Sequence, residues 1–96
     1  MRRAAKVDAN QEQIVSALRK AGASVQSLAS VGKGVPDLLI GFQNQTLLME
    51  VKDGNKSPSQ RLLTEDQMKW HQQWRGGAVS VVDTVDAALR ALGVCK

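Results

Sequence analysis

Two short apolar runs separated by a polar turn restrict the fold of this chain more than any other feature. The runs cover residues 38–42 and 46–51, and Gln43-Asn44-Gln45 lies between them. Short apolar runs bounded by turn residues are typical of buried strands. Asn also tolerates the positive φ that a tight turn requires. The sequence therefore predicts a β-hairpin over residues 36–52.

Three charged residues lie within this apolar hairpin: Asp37, Glu50 and Lys52. Buried charges are costly unless they pair with an opposite charge or bind a metal. Successive strand side chains point to opposite faces, so any two-residue turn places all three on one face of the sheet. The hairpin is therefore either a structural ion cluster or a metal site.

The position of the turn decides which of these charges face each other. A turn at Gln43-Asn44 places Asp37 opposite Glu50, whereas a turn at Asn44-Gln45 places Asp37 opposite Lys52. Opposed side chains have Cβ atoms about 4.5–5.5 Å apart. Two carboxylates at that distance repel, and a hard divalent cation with oxygen ligands relieves the repulsion. The Val51 carbonyl is a candidate for a further ligand.

Capping and stop signals predict the other elements. A first helix begins near Asp8 and ends at Gly22, and residues 24–31 are strand-like. Thr64 and Gln67 form a capping-box pattern for a helix that runs to about residue 75. A strand over residues 78–83 and a last helix between Thr84 and Gly93 complete the order αβββαβα. We predict one α/β domain over residues 1–96, with residues 1–7 as a basic, flexible arm.

Composition limits the functional classes. The net charge of +4 permits nucleic-acid binding, although the low aromatic content of 3% disfavours base stacking on single strands. The sequence contains one cysteine, Cys95, which favours a reducing, cytoplasmic setting. No apolar stretch reaches the length of a membrane span. We expect neither a membrane partner nor a small-molecule cofactor.

The motifs around the hairpin resemble the PD-(D/E)XK nuclease superfamily, and within it the VRR-NUC family, which includes compact stand-alone phage proteins. Four segments carry the resemblance: Gly34-Val35-Pro36-Asp37-Leu38-Leu39, Glu50-Val51-Lys52, Lys56-Ser57-Pro58-Ser59-Gln60-Arg61-Leu62 and Gln67-Met68-Lys69-Trp70. The resemblance covers about residues 8–92. It implies a restriction-endonuclease-like αβββαβ core with a mixed central sheet flanked by helices, followed here by a short C-terminal helix.

The resemblance also implies a site. Asp37, Glu50 and the Val51 carbonyl would hold Mg²⁺ or Mn²⁺, and Lys52 would orient the attacking water. Gln67 would lie beside the site, and Glu12 corresponds to a metal-binding acid on the first helix of the family. The implied reaction is metal-dependent cleavage of branched or duplex DNA, such as a Holliday junction or a flap, leaving 5′-phosphate and 3′-hydroxyl ends.

Supporting residues have simpler interpretations as well. The position of Gln67 is also consistent with a cap alone, and that of Glu12 with a residue that only complements the helix dipole. The Trp70–Trp74 pair is expected to pack rather than to stack on bases. His71 is expected to be a solvated helix residue without a metal-binding role. Candidate phosphate contacts are Lys33, Lys56, Arg61 and Lys69.

Two other functional classes stay open at this point. One is a DNA-binding module that keeps the nuclease scaffold without catalysis, and the other is a structural protein with a buried ion cluster. Cutting both strands of a junction requires two active sites, so a catalytic chain of this size is expected to form a C₂ homodimer. The last helix and the Trp70–Trp74 helix are the candidate dimer surfaces.

Overall fold

The predicted hairpin lies at the centre of the sheet in a computed structural model of the chain, which describes residues 9–94. Strands β2 (Leu38–Phe42) and β3 (Gln45–Val51) pair antiparallel across a two-residue turn. Both turn residues have positive φ, 50° at Gln43 and 65° at Asn44, as a type I′ turn requires. Leu38 pairs with Met49, so the same register places Asp37 opposite Glu50. The first of the two predicted registers is therefore confirmed.

Two further strands complete a four-stranded mixed sheet in the order β1-β2-β3-β4. Strand β1 (Ser24–Ser27) is antiparallel to β2, and β4 (Val79–Val82) is parallel to β3. The predicted strand over residues 24–31 is too long, because the chain turns after Ser27 and Val31 donates a backbone hydrogen bond to Leu28. A parallel neighbour needs a crossover connection, and the helix between β3 and β4 lies in that connection.

Thr64 and Thr84 cap the second and third helices as predicted, whereas the first helix begins at Gln11, directly after Asn10. Helix α1 spans Gln11–Lys20, α2 spans Glu65–Gln73 and α3 spans Val85–Leu92, with a 3₁₀ turn at Pro58–Arg61 inside the predicted loop. Helix α2 ends two residues before the predicted end. The order αβββαβα is confirmed, although the predicted Asp8 cap, the basic arm and Cys95 lie outside the described residues.

The core lies on one face of the sheet, against α1 and α3. Alternate strand residues meet apolar residues of the two helices there, and the fully or nearly buried members are Ile14, Leu18, Ala23, Leu38, Ile40, Met49, Val51, Val82, Ala88 and Leu92. Because strand side chains alternate, Asp37 and Glu50 point to the opposite face. The helices found between residues 9 and 94 are too short or too polar to cross a lipid bilayer.

Candidate active site

Asp37 lies immediately before β2 and is fixed against the end of β3. Its Oδ2 accepts a hydrogen bond of 2.7 Å from the backbone N–H of Val51. Its carbonyl accepts another of 2.8 Å from the backbone N–H of Leu28. These contacts hold the Asp37 carboxylate beside the Glu50-Val51 segment, as the hairpin register requires.

Glu50 is a fully buried carboxylate, with 0% of its surface exposed. Two side chains of α2 approach it from above the sheet. Gln67 Nε2 donates a hydrogen bond of 3.0 Å to Glu50 Oε2, and His71 Nε2 lies 3.6 Å from Glu50 Oε1. The acid therefore lies between the sheet and α2 rather than at a solvated strand end.

Lys52 is held by its backbone as well as by its side chain. Its N–H donates to the Val82 carbonyl at 2.8 Å, and its carbonyl accepts from Asn10 Nδ2 at 3.0 Å. Its Nζ donates a hydrogen bond of 2.7 Å to Gln67 Oε1. The residue is only 9% exposed, so its ammonium group has a defined position.

Asn10 is a supporting residue that the sequence did not reveal. Its Nδ2 donates to the carbonyls of both Lys52 and Asp83, each at 3.0 Å. It stands at the N-cap position of α1 but makes no side-chain capping bond. The amide instead joins the ends of β3 and β4, and only the tertiary fold brings these carbonyls together.

Gln67 acts both as a cap and as part of the site. Its Oε1 accepts from the backbone N–H of Thr64 at 2.9 Å, and its own N–H donates to Thr64 Oγ1 at 3.2 Å. Because Oε1 also accepts from Lys52, Nε2 must face Glu50. The two interpretations of Gln67 are therefore compatible, and the amide links the lysine to the acid.

The loop before β2 supports the start of α2. Gly32, Lys33 and Gly34 all have positive φ, at 74°, 59° and 83°. A Cβ at Gly34 would lie 2.2 Å from the carbonyl oxygen of Asp66. This close approach places the first turn of α2, and therefore Gln67, next to the segment that leads to Asp37 and β2.

The expectation that His71 is a solvated helix residue is wrong. Its side chain is only 16% exposed and faces Glu50, one helical turn after Gln67 on the same side of α2. Burial, and secondarily the positive charge of Lys52, lower the pKa of His71 below its ordinary value. The imidazole is thus part of the site, and its neutral form is favoured.

Glu12, the acid to which the resemblance gives a metal-binding role, does not face the site. Glu12 is exposed, and it lines a shallow recess on the outside of α1 with Gln13, Ser16, Ala17 and Lys20. Gln11, one residue earlier, is buried instead, with 6% exposure. One residue corresponds to about 100° around a helix, which is enough to turn the acid away from the sheet.

The four candidate phosphate contacts differ in their surroundings. Lys33 and Lys56 are exposed. Arg61 forms an ion pair of 3.0 Å with Asp83. Lys69 lies two residues after Gln67, on the solvent side of α2, where it is 3.9 Å from Glu65. Lys33 is the one whose loop packs against the first turn of α2.

Trp70 of α2 and Trp74, directly after the end of that helix, stack on each other. The ring centroids of Trp70 and Trp74 are 4.8 Å apart, with an interplanar angle of 16°. Trp74 Nε1 donates a hydrogen bond of 2.9 Å to the Gly77 carbonyl. The two rings thus pack against each other, and Trp74 is 43% exposed.

The donor set fits a cation that keeps part of its shell outside the protein. Across residues 9–94, no three His, Cys, Asp or Glu side chains form a group that holds a metal. Asp37 and Glu50 would supply carboxylate oxygens, and the Val51 carbonyl would be a further oxygen donor. Mg²⁺ is commonly bound by one or two carboxylates together with waters and substrate phosphates. The site therefore suits such an ion better than a metal enclosed by side chains.

The comparisons with known proteins agree with this architecture. The structure is similar to a VRR_NUC domain. The match has a TM-score of 0.64 and 26% sequence identity, and it covers 86% of this chain and 89% of the other. No protein-family model matches the chain, and no curated protein matches it significantly. The similarity supports the predicted relationship with the VRR-NUC family and the restriction-endonuclease-like fold.

Proposed function

We propose that this protein is a metal-dependent DNA endonuclease. The observation that supports the proposal most strongly is the linked set of Asp37, Glu50, Lys52 and Gln67 at one end of the hairpin. Two acids that can hold a divalent cation and a positioned ammonium group suit metal-dependent hydrolysis of a phosphodiester. They occur in a fold similar to a VRR_NUC domain.

Asp37, Glu50 and the Val51 carbonyl would hold Mg²⁺ or Mn²⁺. When bound, such an ion polarises a phosphoryl oxygen and lowers the pKa of a coordinated water. Glu12 has no part in the proposed site because its side chain faces solvent on α1.

Lys52 and Gln67 have distinct proposed roles toward the phosphate. The Lys52 ammonium places a positive charge beside the acids, where it stabilises the negative charge that develops during attack. Gln67 holds Lys52 and Glu50 in fixed relative positions, because one amide bonds to both. Lys33, Lys56 and Lys69 are proposed to bind flanking phosphates, whereas Arg61 is engaged by Asp83.

The proposed substrate is branched DNA, such as a four-way junction or a flap, cleaved to 5′-phosphate and 3′-hydroxyl ends. The relationship with the VRR-NUC family motivates this finer assignment. The sequence contains no recognisable base-reading motif, which favours recognition of DNA shape.

Cleavage of labelled junction, flap and linear duplex tests the proposal. Wild type is expected to cut in Mg²⁺ or Mn²⁺ but not in EDTA, and Lys52→Ala and Asp37→Asn are expected to be inactive. Cutting that persists in both variants, or that needs no metal, would contradict a nuclease site here. Equal cutting of all three substrates would remove the selectivity for branched DNA. Metal-independent DNA binding without cutting would support the non-catalytic module.

A homodimer is proposed because a junction presents two strands for cleavage, whereas one chain offers one site. Light scattering is expected to give twice the 10.4 kDa mass of the chain. Exposed Met68 and Trp74 make α2 a candidate contact surface. A mass of 10.4 kDa at working concentrations would show that the protein acts as a monomer.

A further inference from the structure

The imidazole of His71, whose side chain is 16% exposed, is a group that the proposed chemistry does not use. Nε2 is shielded from solvent and makes no hydrogen bond with any residue in the described range 9–94. Buried polar atoms in folded proteins are nearly always hydrogen-bonded. The group that faces this nitrogen is the Glu50 carboxylate, whose Oε1 is 3.6 Å away. That separation is slightly too long for a hydrogen bond.

We propose that His71 is a positioning residue for Glu50, and that its Nε2–H donates a hydrogen bond to Glu50 Oε1 when a cation binds. The inference rests on the proposed function, because it assigns a role at the same site. Gln67 already donates to Oε2 of this carboxylate. Together, Gln67 and His71 would hydrogen-bond both carboxylate oxygens of Glu50 from one face of α2.

The distance of 3.6 Å between His71 Nε2 and Glu50 Oε1 agrees with this role. Hydrogen bonds in unliganded active sites are often long and tighten when the complex forms. A shift of about half an ångström brings Nε2 and Oε1 within the hydrogen-bond range. Metal-binding carboxylates are themselves usually hydrogen-bonded, and loss of such a partner typically costs about 10–100-fold in metal affinity.

A direct role for His71 as a metal ligand is less well supported. His71, Glu50 and Asp37 do not form a three-residue metal-binding group among the described residues. The approach of Nε2 to Glu50 Oε1, at 3.6 Å, associates the imidazole with the carboxylate. The histidine acts through Glu50 instead of contacting the ion.

The chain contains a single histidine, so its imidazole nitrogens give an unambiguous NMR signal. In ¹⁵N-labelled protein without an affinity tag, we expect the Nε2–H tautomer, since only that tautomer can donate to Glu50. Addition of Mg²⁺ should shift the Nε2–H signal in wild type but not in Glu50→Gln. A Nδ1–H tautomer, or a signal indifferent to Mg²⁺ that demonstrably binds, would overturn the proposal.

Calorimetric Mg²⁺ titrations of variants give the second readout. His71→Leu is expected to bind Mg²⁺ about 10–100-fold more weakly, whereas His71→Gln keeps an N–H donor and should retain most of the affinity. Gln72→Leu, at an exposed neighbouring position, is the matched control and should bind like wild type. Equal losses in the Leu and Gln variants would contradict hydrogen-bond positioning.

The experiments also distinguish failure of the proposed nuclease function from failure of the inference about His71. Wild type would then bind no divalent cation and cut no DNA, whatever residue stands at position 71. If wild type binds Mg²⁺ and cuts DNA while His71→Leu does both equally well, only the inference about His71 fails.

Discussion

Lys52→Met is expected to lower the single-turnover rate of DNA cleavage by about 10²–10³-fold, the size of effect found when one preorganised electrostatic donor is removed from a transition state. Methionine retains much of the aliphatic stem but lacks the ammonium group. The Lys52 backbone contacts to Val82 and Asn10 do not involve the side chain and should persist. The loss should therefore fall on the chemical step and leave the fold intact.

Rates measured at saturating protein and Mg²⁺, with circular dichroism to check folding, would test this expectation. Lys20→Met removes an equal charge from an exposed position on α1 and should cut at the wild-type rate. A Lys52→Met protein that is folded and cuts as fast as the Lys20→Met control would show that Lys52 has no catalytic role.

Gly34→Ala is expected to lower the free energy of unfolding by about 2–5 kcal/mol. The φ of +83° is unfavourable for alanine by about 1–2 kcal/mol. The added Cβ also meets backbone atoms of α2, at 2.2 Å from the Asp66 oxygen and 2.9 Å from the Gln67 nitrogen. Overpacking of this kind typically adds about 1–3 kcal/mol.

Gly32→Ala is a matched control for this substitution. Gly32 also has positive φ, at +74°, but a Cβ there would meet nothing within 4 Å. Its cost in urea unfolding should be limited to the backbone term of about 1–2 kcal/mol. If the two variants lost equal stability, the close approach between the loop and α2 would make no energetic contribution.

Much of the fold could be predicted because local signals agreed with one another. Asn44 at the turn, the apolar strands and the capping residues Thr64 and Thr84 each correspond to an observed element. The sequence did not decide between the two strand registers, because Gln43 and Gln45 are equally polar neighbours of Asn44. Core packing against α1 and α3 does not separate the registers either, because both place the same alternate residues on the buried face. The structure has the turn at Gln43-Asn44, where both residues have positive φ.

The site was predicted less completely, because its missing parts depend on tertiary contacts. His71 lies 21 residues after Glu50, and nothing local shows that α2 turns this side chain toward the sheet. Asn10 reaches carbonyls of two strands that meet only in the folded chain. At the first turn of α1, the sequence did not distinguish which of Gln11 and Glu12 is buried.

The spacing of residues along α2 does indicate that His71 faces the site. It follows Gln67 by four residues, so both side chains must lie on one face of the same helix. Once Gln67 is assigned to the site, the next inward-facing residue along α2 is His71. The shared face of Gln67 and His71 was less evident because Trp70 and Trp74, which are also four residues apart, predict a packing face of their own.

A calorimetric titration with Mn²⁺ tests most directly whether the buried acid of β3 belongs to a metal site. Wild type is expected to bind Mn²⁺, Glu50→Gln to lose that binding, and Glu12→Gln to bind like wild type because Glu12 faces solvent. Equal binding by wild type and Glu50→Gln, or no binding by wild type, would contradict the account.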